Sequence, residues 1–449
     1  MQAPPIAIFC CRSRRWANSP RSPPDRAIWT QIQRGNCGVT PCESAGQVFA
    51  DDAGMTRMTQ ALWISLTAIG CAANPMGGNG NVGEDAGSSG DAGSSGDAGS
   101  VGDAGSGGDA GSGGDGGGGD AGGGGPRPAF TRGVSTLAGY SDLGYVDGSR
   151  ELNLFHNPVN VAYASDGKLY VADFDNSKIR VVDRYGTATT LVTPVGFARP
   201  FGMALDAGGV LYVSTDNDPN NGHSLTSGTI WRIDPRSGAV TVIANAIGRP
   251  RGLTVLSDGR LAVADNLHHV IEIVEPVTGQ VSLLAGTWDA SGFVDGTGAA
   301  ARFATPYGLV QRPDGKLVVC DYANQRLRLV GLDGSVSTLA GTETPGFADG
   351  AITSALFNQP QAIAIASNGD LYVADSGNFR VRRITGTTIA TIAGDGASGY
   401  LDADDRLTSQ LHGLEGIAVV PDGSMVYVAD GTRGEEGPFN RVRQIDMTQ

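Results

Sequence analysis

Six side chains of mixed chemistry stand at one repeated place in the 449-residue chain. They are Val159, Phe201, Arg251, Tyr307, Gln361 and Glu415. Each follows a Pro (Leu at 414) and precedes a Gly (Asn at 160, Ala at 362). Their neighbours recur and they do not. A framework position should repeat under internal symmetry, so variation at a repeated place is what a ligand site would leave; solvated positions free to drift would leave the same trace. Read as a site, Phe201 and Tyr307 offer apolar or stacking contact, Arg251 and Glu415 oriented charge, and Gln361 an amide. These residue types call for no cofactor and name no catalytic group.

Other reactive residue types are sparse. The histidines are His156, His223, His268, His269 and His412; His156 and His412 each stand two residues before a repeat start and could approach one mouth, but no third zinc ligand is evident. No Gly-x-Ser-x-Gly elbow supplies a serine nucleophile in the repeats. Cys320 lies where other copies have Ala or Ser, as a small buried hydrophobe would. Asp173, Asp265, Asp321, Asp375 and Asp430 end equivalent strands, and five carboxylates at equivalent places suit acceptors of backbone amides better than a catalytic pair.

The elements that must position these residues are short strands. Leu371-Tyr-Val-Ala-Asp375 has close variants at 169–173, 211–215, 261–265, 317–321 and 426–430, each after a turn signal, five of them Asp-Gly or Asn-Gly. In the fifth copy, strands are expected at Pro360–Ala366, Leu371–Asp375, Phe379–Ile384 and Ile389–Ala393. Four antiparallel strands per unit, apolar on both faces, predict the blades of an all-β, six-bladed β-propeller spanning 130–449. The sixth unit ends after its third strand, while Val134-Ser-Thr-Leu-Ala-Gly139 copies the fourth strands at 336–341 and 281–286, so the head of this region should close the ring. Antiparallel order puts the long connections at 140–157, 287–305, 342–359 and 395–413 on one face, the candidate binding face. Those connections share Gly-aromatic-x-Asp elements at 144–147, 292–295, 346–349 and 399–402, which read as Asp-Gly turns with aromatics tucked onto the blade; one short loop has too few ligands for calcium.

The recurring Pro-x-Gly, Asp-Gly-x-Leu-Tyr-Val-Ala-Asp and Asn-x-Arg-Val-Arg elements resemble those of NHL-repeat propellers over about 133–446. Asn378-Phe-Arg-Val-Arg382 and Asn324-Gln-Arg-Leu-Arg328 carry the last element most fully. The resemblance implies the six-bladed fold and no single activity, since such propellers include binding modules and enzymes. On the enzyme side it implies zinc lyases that use histidine and lactonase-like proteins that hold a divalent cation, to which Glu415 and Asn160 could contribute.

Ahead of the repeats the composition changes. Residues 1–54 are rich in Arg and Pro without strand or helix period, and read as a non-translated or disordered extension, with a second start at Met55 or Met58. Residues 55–70 form a basic start and an apolar core too short to span a bilayer, and Ala68-Ile-Gly-Cys71 resembles a bacterial lipobox, which implies lipidation of Cys71. Residues 71–129 form a Gly/Asp/Ser-rich linker with Asp at 85, 91, 97, 103, 109 and 115, expected to be disordered. The net charge of −14 makes nucleic acid an unfavourable partner. The sequence thus predicts a monomeric lipoprotein tethered to the cell envelope, at the outer membrane if the cell has one. Its propeller would bind protein or glycan at the long-loop face, with a metal-dependent propeller enzyme as the alternative.

Overall fold

The computed structural model describes residues 130, 132–192, 194–217, 222, 224–433 and 439–448. Cys71, the signal-like segment and the linker lie outside them, as does His223. Six antiparallel sheets make up six blades of a β-propeller. Blades 1 to 5 begin with inner strands Pro158–Tyr163, Pro200–Leu205, Pro250–Val255, Pro306–Gln311 and Pro360–Ile365, and blade 6 with Leu414–Val419. Each second strand is a Leu-Tyr-Val-Ala-Asp variant and is buried along nearly its whole length, because both sheet faces pack on neighbouring blades. The first turns need positive φ only at the glycine, as at Gly369 (φ 87°), with Gly369 N–H bonding back to Ala366 O at 2.9 Å.

The ring closes as expected. Val134–Tyr140 is the outermost strand of blade 6, paired antiparallel with Asn440–Asp446 in the register Val134 to Ile445 through Tyr140 to Asn440. One buried cluster spans the seam, joining Leu137 and Ala138 to Val161 and Val171 of blade 1 and to Ala429 and Val442 of blade 6.

Three repeated sequence elements converge on one brace. In blade 5, Asp375 Oδ1 accepts the Asn358 amide at 2.8 Å and its Oδ2 accepts Arg382 Nη1 at 2.8 Å; Arg382 Nη2 donates to Asp349 at 2.6 Å, and Asp349 accepts the Thr391 amide at 3.0 Å. The same set recurs as Asp173, Arg180 and Asp147 in blade 1, Asp321, Arg328 and Asp295 in blade 4, and Asp430, Arg443 and Asp402 in blade 6. The strand-end aspartates accept backbone amides, as the sequence suggested, and carry an arginine as well. All four arginines are fully buried. Three of them sit over a buried Phe, at 4.6 Å for Arg180 on Phe155 and 5.3 Å for Arg382 on Phe357, which covers the guanidinium faces while the carboxylates and carbonyls take its edges.

This brace changes the part assigned to the long connections. From the face where they emerge, they run down the outer edge of the blade they precede: Gly296–Thr297 pairs with Val336 and Ser335, Gly350–Ala351 with Ile389 and Thr388, Gly148 with Ala188, and Ala403 with Val134. An outer strand with unpaired amides is a hazard, and the loop covers it.

Candidate functional site

The six variable residues form one ring because each sits in a β-bulge. Pairing between the first and second strands shifts just after Pro158, Pro200, Pro250, Pro306, Pro360 and Leu414, which re-aims the residue that follows. The residue after it lies where neighbouring inner strands nearly touch. A Cβ on Gly252 would stand 2.1 Å from Tyr307 O, and one on Gly416 2.4 Å from Asn160 Cα, so glycine follows the variable residue at four of the six places. Blades 3 and 6 face each other across the ring, which sets Arg251 opposite Glu415.

The ring is a plug rather than an open funnel. Val159, Phe201, Arg251 and Gln361 are buried, and Tyr307 and Glu415 partly so. Phe201 packs on Tyr307 (centroids 6.0 Å apart) and edge-on to Phe174 (6.1 Å), and Tyr307 in turn packs on Tyr322 (4.9 Å). Arg251 lies over Phe201 at 4.1 Å, with Phe174 at 5.5 Å, and donates from Nη2 to Asp216 at 2.9 Å; Arg249 is 3.6 Å from the same carboxylate oxygen. Nε and Nη1 of Arg251 have no hydrogen-bond partner among the described residues. Burial pushes the guanidinium below its ordinary value, and Asp216 offsets part of that. Burial pushes the Glu415 carboxyl up, against Arg251, Arg433 and a hydrogen bond with Gln361. Phe174, Asp216 and Tyr322, which sequence reasoning missed, each follow directly on a second strand; their signal was that they vary at a place after a repeated Asp or Thr.

Beneath the plug lies a channel cavity of about 300 Å³. Phe201, Arg251, Gln361, Glu415 and Asn160 line its closed end, and Met203, Leu253, Leu309, Ile363 and Ile417 its middle. Four of the five predicted site residues therefore border one space, and Tyr307 joins through Phe201.

The residues weighed for metal chemistry do not assemble. His156 is 3.9 Å from Asp175, while His412 is buried between Phe439 (3.8 Å) and Phe379 (6.0 Å) with Nδ1 2.7 Å from Ser398 Oγ. Asn160 Oδ1 accepts the Val161 amide at 2.8 Å. Among the described residues no group of three or more His, Cys, Asp or Glu side chains is placed to hold a metal ion. Cys320 is fully buried, and burial pushes its thiol up, so it is a core residue with no thiolate to offer.

The fold and its bulge ring place the chain among six-bladed β-propellers. Two of its blades match the family model for the NHL repeat, at residues 155–182 and 357–384, which hold Phe155, Asp173 and Arg180 of blade 1 and Phe357, Asp375 and Arg382 of blade 5. The chain is similar to SUPPRESSOR OF QUENCHING 1 of Arabidopsis thaliana, 27% identical over 54% of this chain and 26% of that protein. It is also similar to human NHL repeat-containing protein 2, 26% identical over 53% of this chain and 40% of that one. The match thus spans well under half of either relative. Among solved structures, an auxiliary nutrient binding protein from Bacteroides thetaiotaomicron shares the fold, with a TM-score of 0.56 and 15% identity over 70% of this chain and 75% of that one. A second, from Bacteroides ovatus, has a TM-score of 0.55 and 19% identity over 71% and 77%.

Proposed function

We propose that this protein is a binding or scaffold propeller, anchored in the cell envelope through a lipidated Cys71, which presents its long-loop end to a protein or glycan. The observation that carries the reading is the broken symmetry of the bulge ring. Four blades repeat one buried brace, yet the ring residues differ in all six blades and gather charge and aromatic surface at one end of the channel. A framework does not need a buried arginine against two aromatic rings there. The similarity to proteins described as auxiliary nutrient binding proteins supports capture over catalysis as the use of this fold. The aspartate-spaced linker would give the propeller reach from the membrane.

Pull-down from envelope extract with the full chain tests the reading. A partner retained by wild type and lost on Glu415→Gln, with unchanged melting, is the expected result; a set of captured proteins indifferent to every ring substitution would overturn it. Detergent partitioning of wild type against Cys71→Ser tests the anchor, which predicts that only the wild type enters the detergent phase.

A further inference from the structure

From the reading of the bulge ring as a ligand site, and resting on it, we infer that the channel cavity binds a small α-amino or α-hydroxy carboxylate, the carboxylate on Arg251 and the adjacent donor on Glu415. The cavity, about 300 Å³, is at the lower bound of small-ligand pockets and excludes a protein segment or a glycan chain as its occupant. Arg251 is only 4% exposed, yet two of its donors are unpartnered among the described residues, and a buried guanidinium lacking acceptors is costly until an anion supplies them. Facing it are Asp216, already bonded to Nη2, Arg249, the Tyr307 hydroxyl and Glu415, with Arg433 beyond; the opposing carboxylate would repel a simple dianion and favour a ligand that brings its own donor. The middle of the channel is apolar through Met203, Leu253, Leu309, Ile363 and Ile417, so an aliphatic side chain would lie along it. Entry is from the end opposite the plug, past half-buried Leu205, Val255, Val310 and Val419.

Titration calorimetry on the full chain with leucine, 2-hydroxy-4-methylpentanoate, 4-methylpentanoate and 3-methylbutylamine tests this. At least one of the first two should bind, with the last two at least tenfold weaker because each lacks one of the paired groups. Leucine alone would mean Glu415 reads charge; both together would mean it reads a hydrogen-bond donor. Glu415→Gln should weaken binding at least tenfold for leucine, and Val255→Trp, which fills the entry and leaves the charges in place, should abolish it; Arg251→Lys should do likewise where it folds. No heat with either of the first two ligands, equal binding of the plain acid or amine, or undiminished affinity in Val255→Trp would each overturn the inference. Failure here alongside a ring-dependent partner in the pull-down would leave the binding-module reading standing.

Discussion

Glu272→Gln should stabilise the propeller, and by more as the pH rises. Glu272 occupies in blade 3 the register position held by Arg180, Arg328, Arg382 and Arg443 elsewhere: it faces Val263 as Arg382 faces Val373. Its side chain is buried, and Oε2 has no partner among the described residues. Burial, with repulsion from Asp265 added, pushes the carboxyl from 4.5 up to about 8. The folded protein therefore holds a proton between those two values that the unfolded chain has released, so stability falls as pH rises across that window and levels off above it. At pH 7 the proton uptake spans 7 less 4.5, which at about 1.4 kcal/mol per pH unit costs about 3 kcal/mol. Glutamine keeps the shape and needs no proton, so the variant should gain on the order of 3 kcal/mol at pH 7 and nothing at pH 4.5. Guanidinium unfolding of both proteins at pH 5, 7 and 8.5 reads this as a difference that widens with pH. A difference independent of pH, or a variant less stable than wild type at pH 7, would mean that Glu272 is ionised and partnered, and the reasoning would fail.

Arg382→Met should cost about 3–5 kcal/mol in chemical unfolding, since it leaves the fully buried Asp375 without its counter-charge, whereas Arg260→Met, at an exposed arginine paired with an equally exposed Asp258, should cost under about 1 kcal/mol. Deleting residues 130–140 should abolish cooperative melting, because it removes the outer strand of blade 6 and half of the ring's closure; wild-type melting would contradict it. His269 Nδ1 accepts the Thr305 amide at 3.1 Å between blades 3 and 4, and burial lowers its pKa from 6.5. Its contribution should be present above pH 6.5 and fade as the pH falls through the lowered value, a pH dependence that His269→Asn should remove from melting curves.

What was legible in the sequence is what six-fold repetition writes many times. The strand starts at 158, 200, 250, 306, 360 and 414 fall where the Pro-x-Gly spacing put them, and the donated strand Val134–Tyr140 was found because it copies fourth strands whose own place was vacant in the last unit. The ring of variable residues was legible for the same reason, as the complement of the repeats. Its closure was not. Whether Phe201 and Arg251 stand in water or form a plug depends on Phe174 and Asp216, which stand 27 and 35 residues earlier than the rings or charges they meet, Phe174 to Phe201 and Asp216 to Arg251. Alternation along a strand carries no such information. The edge pairing of the long connections was not legible for a related reason: length alone does not tell a loop that projects from one that lies down on a strand edge.

The brace explains why sequence departures in blades 2 and 3 come as matched sets. Where a strand-end Asp is followed by an arginine, seven residues on in blades 1, 4 and 5 and thirteen in blade 6, the two buried charges meet each other. Blade 2 replaces both at once: Thr215 stands for Asp and Trp231 for Arg, joined by a neutral hydrogen bond from Trp231 Nε1 at 2.9 Å, with Phe197 packed edge-on at 5.4 Å. Blade 3 keeps Asp265 but loses the arginine to Glu272, and His268 becomes the partner of Asp265, 2.6 Å away and stacked under Trp288 at 3.9 Å. Both blades also lack the long preceding connection with its second Asp, so an arginine there would be left with one partner too few. A single change from either set toward the majority pattern, such as Thr215→Asp alone, buries a charge with no cation to meet it, so each blade's set holds together only as a whole.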